Sequence, residues 1–191
     1  MKIILFLCFT ASTFFYTYAQ DSLPQHLKGK IKYPVIDVHP MVGVLDIDSN
    51  ALHYDASIDY KIVIDAYDKM KDSTQVYKPL SEVARIYNLN IANGVPEDKL
   101  QLAMVYHSFN MDPLLNDESY QAKYGIDNPN TELISTLKDL GVHFYVCGQL
   151  LGFFNVPSEN LASQIEIAVS AKTALITLDQ MGYSYLNVNE D

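Results

Sequence analysis

Residues 141–152 read GVHFYVCGQLLG. The run 142–147 (VHFYVC) has the apolar, aromatic and β-branched character of a buried strand; it stops at Cys147, where Gly148 turns the chain into a helix. The elements on either side of this stretch decide the fold.

Immediately upstream, Leu133, Ile134, Leu137 and Leu140 recur at spacings of three and four, the period of an amphipathic helix. Asn130 or Thr131 stands where its N-cap belongs and Gly141 where a C-terminal glycine belongs. Further back, residues 61–67 (KIVIDAY) form a β-branched run of strand length. Leu80, Val83, Ala84, Tyr87 and Ile91 mark the apolar face of a helix between Pro79 and the Asn93-Gly94 pair. Residues 100–106 (LQLAMVY) are a second apolar strand with no clean alternation, as expected of a strand buried on both faces. Residues 109–128 read as a loop or short helix.

Downstream, residues 157–164 read as a short helix with Ser158 near its start, and 165–169 as a strand. Ser170 caps a helix running through Ala174, Leu175 and Leu178 to Gly182, and 183–188 (YSYLNV) is the closing strand. Strands alternating with helices predict an α/β domain: three layers, α/β/α, around a mainly parallel sheet of about five strands. An extended N-terminal arm precedes it.

The division along the chain is a signal peptide over residues 1–19, an arm over 20–59 and the α/β domain over 60–191. Lys2 supplies a basic start, residues 3–15 are apolar, and Thr17 and Ala19 are the small residues of a cleavage site, so the leader is expected to be cut after Ala19. The apolar run is shorter than the roughly 20 residues a spanning helix needs, so no membrane anchor is expected after cleavage. The destination is the periplasm or the exterior. In the arm, Pro40 and Gly43 break one or two short strands, and the arm is expected to lie across the main domain or pair with a neighbouring subunit. His39 and His53 within it read as ordinary surface or arm histidines, with no second ligand at metal-binding spacing.

Losing Lys2 takes the 13 basic residues to 12 against 23 acidic ones, for a mature net charge of −11. Such a chain has no electrostatic footprint for nucleic acid. Losing Cys8 leaves Cys147 as the sole thiol, so stability rests on a core and not on a disulfide framework. No G-x-G-x-x-G, P-loop, G-x-S-x-G or C-x-x-C occurs, and no cofactor or metal is expected.

Ligands of open parallel sheets gather at the C-terminal ends of the strands. Three pairs stand there: Tyr67-Asp68, His107-Ser108 and Cys147-Gly148. A cysteine facing a helix N-terminus is favoured as thiolate, the reactive form, which makes Cys147 the first candidate. His107 is the weaker partner, and Tyr67, Ser108 and Gly148 are the candidate pocket residues. A buried cysteine that merely fills space is the alternative.

Three segments carry a family resemblance: 80–107 (LSEVARIYNLNIANGVPEDKLQLAMVYH), 128–152 (NPNTELISTLKDLGVHFYVCGQLLG) and 165–188 (IEIAVSAKTALITLDQMGYSYLNV). Together they resemble the DsrE/DsrF-like (YchN-like) family over residues 60–188. The resemblance implies a parallel α/β fold and assembly as a homotrimer or hexamer. In sulfur-relay members a cysteine after the third strand carries a persulfide, and Cys147 matches that position. The implied function is a sulfur carrier or sulfurtransferase-like protein with a sulfur-donor or acceptor protein as partner. A non-catalytic oligomeric module binding a small ligand or a protein remains the alternative.

Overall fold

In the computed structural model, which describes residues 25–47 and 49–190, a 3-10 turn (Gln25–Leu27) is followed by a two-stranded antiparallel ribbon, β1 (Ile31–Lys32) and β2 (Val44–Leu45). The leader expected over residues 1–19 lies outside the described residues. The α/β part follows as β3 (Tyr60–Ala66), α1 (Lys78–Ala92), β4 (Leu100–Tyr106), α2 (Asp117–Tyr124), α3 (Thr131–Asp139), β5 (His143–Cys147), α4 (Gly148–Phe154), β6 (Ile165–Ala168), α5 (Ala171–Gln180) and β7 (Ser184–Asn187). The five long-range strands form one sheet in the order β6-β5-β4-β3-β7, with every pairing parallel.

Strand alternation sends two sets of side chains to opposite faces. Ile64, Ala66, Leu102, Met104, Tyr106, Phe144 and Val146 join the larger core, against Leu80, Val83, Ala84 and Tyr87 of α1 and Leu133, Ile134 and Leu137 of α3. Burying a Leu or Ile side chain of this kind contributes on the order of 1.5–3 kcal/mol. Val63, Ala103, Val105 and Cys147 face the other way, onto Ala171 and Leu178 of α5 and onto Tyr183. The central strands are therefore buried on both sides, which is why residues 100–106 show no alternation.

The helix ends follow local chemistry. Ser170 accepts a hydrogen bond from the Thr173 amide, and the Thr173 hydroxyl is bonded in return to the Ser170 backbone, a capping box at the start of α5. Gly141 (φ 83°) follows α3 in the left-handed conformation that lets Val142 N–H bond back to the Leu137 carbonyl. Asn130 does occupy the N-cap position of α3, yet its side chain does not cap that helix. Its amide oxygen instead accepts the Tyr77 N–H at 2.7 Å, tying the start of α1 to the start of α3.

Residues 157–164 depart from the helix expected there. Only a single 3-10 turn forms, Ser158–Asn160, because Leu161 is drawn into an antiparallel bridge with Leu115 and Ala162 N–H bonds the Leu114 carbonyl at 2.8 Å. The segment read as an arm carries the β1–β2 ribbon, and its Ile36 and Val42 are fully buried in the larger core. Gly43 permits this fold-back, since a Cβ there would lie 2.2 Å from the Ile31 side chain.

Candidate functional site

Two neighbouring strands, β5 and β6, send their outgoing connections to opposite faces of the sheet. After β5 the chain passes through α4 and Leu161, and Leu151 and Leu161 pack into the larger core. After β6 it enters α5, on the other face. Such a reversal opens the crevice where doubly wound sheets bind ligands, outside the carboxyl ends of the strands. Cys147 ends β5 at this point, with extended backbone (φ −68°, ψ 106°), and is the N-cap residue of α4. Its side chain is on the α5 face and is 6% exposed.

Gly148 has a packing reason to be glycine. A Cβ added there would meet the Ala168 carbonyl oxygen at 2.7 Å and the Ile167 side chain at 3.1 Å, so the absence of a side chain lets the end of β6 approach the start of α4. Ser108, just past β4, is completely buried, and its hydroxyl accepts the Asn110 N–H at 3.4 Å.

One residue past the Tyr106–Val146 pair of the β4–β5 ladder stand His107 and Cys147. Tyr106 and Val146 belong to the α1 and α3 side, so their successors turn to the α5 face. His107 N–H extends the β3–β4 ladder by bonding the Ala66 carbonyl at 3.0 Å. Its imidazole Nε2 lies 2.7 Å from Oδ1 of Asp65, a buried carboxylate on β3. The second oxygen of Asp65 accepts the Tyr185 hydroxyl of β7 at 2.7 Å. That bond, then burial and the carboxylate charge, pushes the Tyr185 hydroxyl up to about 12. The Tyr67 ring leans on the imidazole with centroids 5.3 Å apart.

The C-terminal tail completes this edge. The Asn189 amide oxygen accepts Tyr67 N–H at 2.6 Å and Asp68 N–H at 3.0 Å, while its NH₂ donates to the Asp65 carbonyl at 2.8 Å. Tyr67, His107 and Cys147 thus share the C-terminal rim of β3, β4 and β5. Asp65 and Tyr185 were not among the residues the sequence singled out. A detectable signal for Asp65 existed: a lone carboxylate inside the apolar run KIVIDAY must find a partner when buried. Tyr185 has no such signal, because only the strand order brings β7 beside β3.

Two concavities are lined by other residues. One, of about 100 Å³, is bordered by Asp68, Lys71, Tyr77, Lys78 and Glu190. An open groove of about 530 Å³ runs between Phe109, Asp112, Lys123 and Phe154. Neither includes Cys147 or His107 in its lining. Among the described residues no three His, Cys, Asp or Glu side chains converge in a metal-binding group, and no helix is long and apolar enough to cross a membrane.

The family model described as DsrE/DsrF-like matches residues 61–188, from the start of β3 through the end of β7. The chain belongs to the DsrE/DsrF-like family. No curated protein sequence matches this DsrE/DsrF-like chain significantly. Among solved structures it is similar to the protein of unknown function MTH1491 from Methanobacterium thermoautotrophicum, at 18% identity and a TM-score of 0.50, over 68% of this chain and 99% of that one. At that identity the likeness speaks to the fold alone: a five-stranded parallel sheet flanked by helices.

Proposed function

We propose that this DsrE/DsrF-like protein is an exported sulfur carrier whose Cys147 thiol accepts a sulfane sulfur and passes it to an acceptor thiol. The observation behind this is the place of Cys147: at the end of β5, where the crossovers diverge, and on the same sheet face as His107. In the transfer, the Cys147 thiolate attacks the outer sulfur of a persulfide or thiosulfate-like donor. A new S–S bond forms, the donor's own S–S bond breaks, and the donor's inner sulfur leaves with the electron pair as a thiolate or as sulfite. Attack by an acceptor thiolate on the outer sulfur then regenerates the Cys147 thiolate.

Export through a leader over residues 1–19 would place the carrier in the periplasm or outside the cell, with a sulfur-donor or acceptor protein as partner. Homo-oligomeric assembly, as a trimer or hexamer, is supported by the thinly covered α5 side, where Val169, Ile176 and Met181 are exposed.

The test is intact-protein mass spectrometry after incubation with thiosulfate or a low-molecular-weight persulfide. The expected result is a gain of about 32 Da, one sulfur atom, in wild type and none in Cys147→Ser. No gain in wild type, or the same gain in Cys147→Ser, would end the carrier proposal. The burial of Cys147 favours a second reading, a non-catalytic oligomeric module that binds a small ligand or a protein and uses Cys147 only as core. Under it, native Cys147 would resist small alkylating reagents that label it after unfolding.

A further inference from the structure

Asp65 is a buried carboxylate with no Lys or Arg in salt-bridge range, and its cationic-capable neighbour is His107 alone among the described residues. Both its oxygens are taken on the same sheet face, one by the imidazole and one by the Tyr185 hydroxyl. A buried carboxylate is costly unless its charge and lone pairs are matched, so the arrangement holds the imidazole in one orientation. With Nε2 directed at Asp65, Nδ1 is the nitrogen left to accept a proton.

We infer that Asp65 and Tyr185 are positioning residues that orient His107 as the proton acceptor for the Cys147 thiol. This rests on the reading of Cys147 as the sulfur-accepting group. The adjacent parallel strands β4 and β5 stand about 4.8 Å apart, and His107 and Cys147 occupy neighbouring places at their ends on one face. No hydrogen bond joins the thiol to the imidazole, so the relay requires a bridging water or an approach of the two groups when the donor binds. The step balances as a proton transfer: the Sγ–H bond breaks, Nδ1 gains the proton, and the resulting imidazolium is neutralised by Asp65. The thiolate then attacks the donor sulfur, and His107 returns its proton to the departing thiolate.

The ionisable groups around this relay are Asp65 from β3, Tyr67 just past it, Tyr145 from β5, Tyr183 just before β7 and Tyr185 from β7. The packed face of α5 offers Ala171, Ala174, Leu175 and Leu178, none of which titrates. Further back on β5, His143 stacks on Tyr145 and is engaged by Glu166 of β6.

The test is the rate of Cys147 alkylation by iodoacetamide as a function of pH, in the folded full chain. Wild type should show an inflection contributed by the His107 imidazole, besides that of the thiol itself. His107→Gln should remove that inflection and slow alkylation near pH 7 by about tenfold or more. Asp65→Asn, nearly isosteric, should shift the inflection and slow the reaction; Tyr185→Phe should do so to a lesser degree. Wild-type profiles in both His107→Gln and Asp65→Asn overturn the relay, as does a wild-type Cys147 that iodoacetamide cannot reach. Sulfur uptake is scored separately by mass. A relay seen in alkylation with no sulfur gained would sink the carrier proposal alone, whereas sulfur uptake with a profile indifferent to His107 would sink the relay alone.

Discussion

Asn88, in the middle of α1 and completely buried, grips Ile36 by both of its backbone groups: the Asn88 amide oxygen accepts Ile36 N–H at 3.0 Å and its NH₂ donates to the Ile36 carbonyl at 2.8 Å. The same NH₂ also donates to the Val42 carbonyl at 2.9 Å. One side chain thereby supplies the partners that a strand neighbour would otherwise give to the ribbon segment.

Replacing Asn88 should therefore cost more than a surface polar change. Asn88→Ala leaves the Ile36 N–H and two carbonyls buried without partners, and each such group costs about 1–3 kcal/mol. After allowance for water entering the gap, a loss of about 3 kcal/mol is expected by urea denaturation. Asn88→Asp should be at least as harmful, since it introduces a charge and removes the donor. A loss below about 0.5 kcal/mol, the range of ordinary surface substitutions, would show that the ribbon does not depend on this clip.

Gly148→Ala tests the close approach of β6 to the start of α4. Its methyl group would sit 2.7 Å from the Ala168 carbonyl, which is backbone and cannot swing away. The two strand ends must separate, at a cost of about 1–3 kcal/mol. Thermal unfolding should report the loss, and alkylation of native Cys147 should speed up as the crevice opens. An unchanged melting temperature would mean that β6 shifts freely.

Much of the sheet was legible because its strands are short apolar runs bounded by helix signals. Leu100–Tyr106 stands where its apolar run without clean alternation put it, and the capping role of Ser170 follows from local chemistry alone. Residues 157–164 were misread as a helix because the pull on Leu161 comes from Leu115, a partner no local pattern reveals. The same reason hid the Asp65 cluster: its bonds join residues 42 and 120 positions apart in the chain. Cys147 and His107 could be nominated from strand ends, but their sharing of a face required the register of β4 and β5.

Asp112 provides a test of charge burial away from the thiol. Its carboxylate is buried, with the Lys123 ammonium 2.7 Å from both oxygens and the Tyr124 hydroxyl also donating to it. Burial, with that bond and charge, pushes Tyr124 up to about 12. Lys123→Met should cost about 1–2 kcal/mol, less than for a fully enclosed pair because Lys123 is half exposed and water can replace part of its contact. Asp112→Asn with Lys123→Met should recover part of that loss. A double variant no better than the single one would show that the unpaired carboxylate is not the source of the cost.

The C-terminal tail should come loose in acid. Glu190 is bonded to Lys71 and Lys78, and hydrogen bonds from these lysines, followed by their charges, lower its carboxyl from an ordinary 4.5 to about 2. A depressed carboxyl value in the docked state means that the favourable contribution is complete above the free value and disappears as pH falls through the docked one. The window is therefore pH 4.5 down to about 2. Asn189, the next residue back, holds the Tyr67 and Asp68 amides, so their NMR signals should shift together with the Glu190 carboxyl across that window. Lys71→Ala with Lys78→Ala should move the Glu190 midpoint up towards 4.5, its unpaired value. Because all three groups are solvent-accessible, raising the salt concentration should move it the same way. A wild-type midpoint already at 4.5, insensitive to both lysines, would mean that Asn189 alone keeps the tail in place.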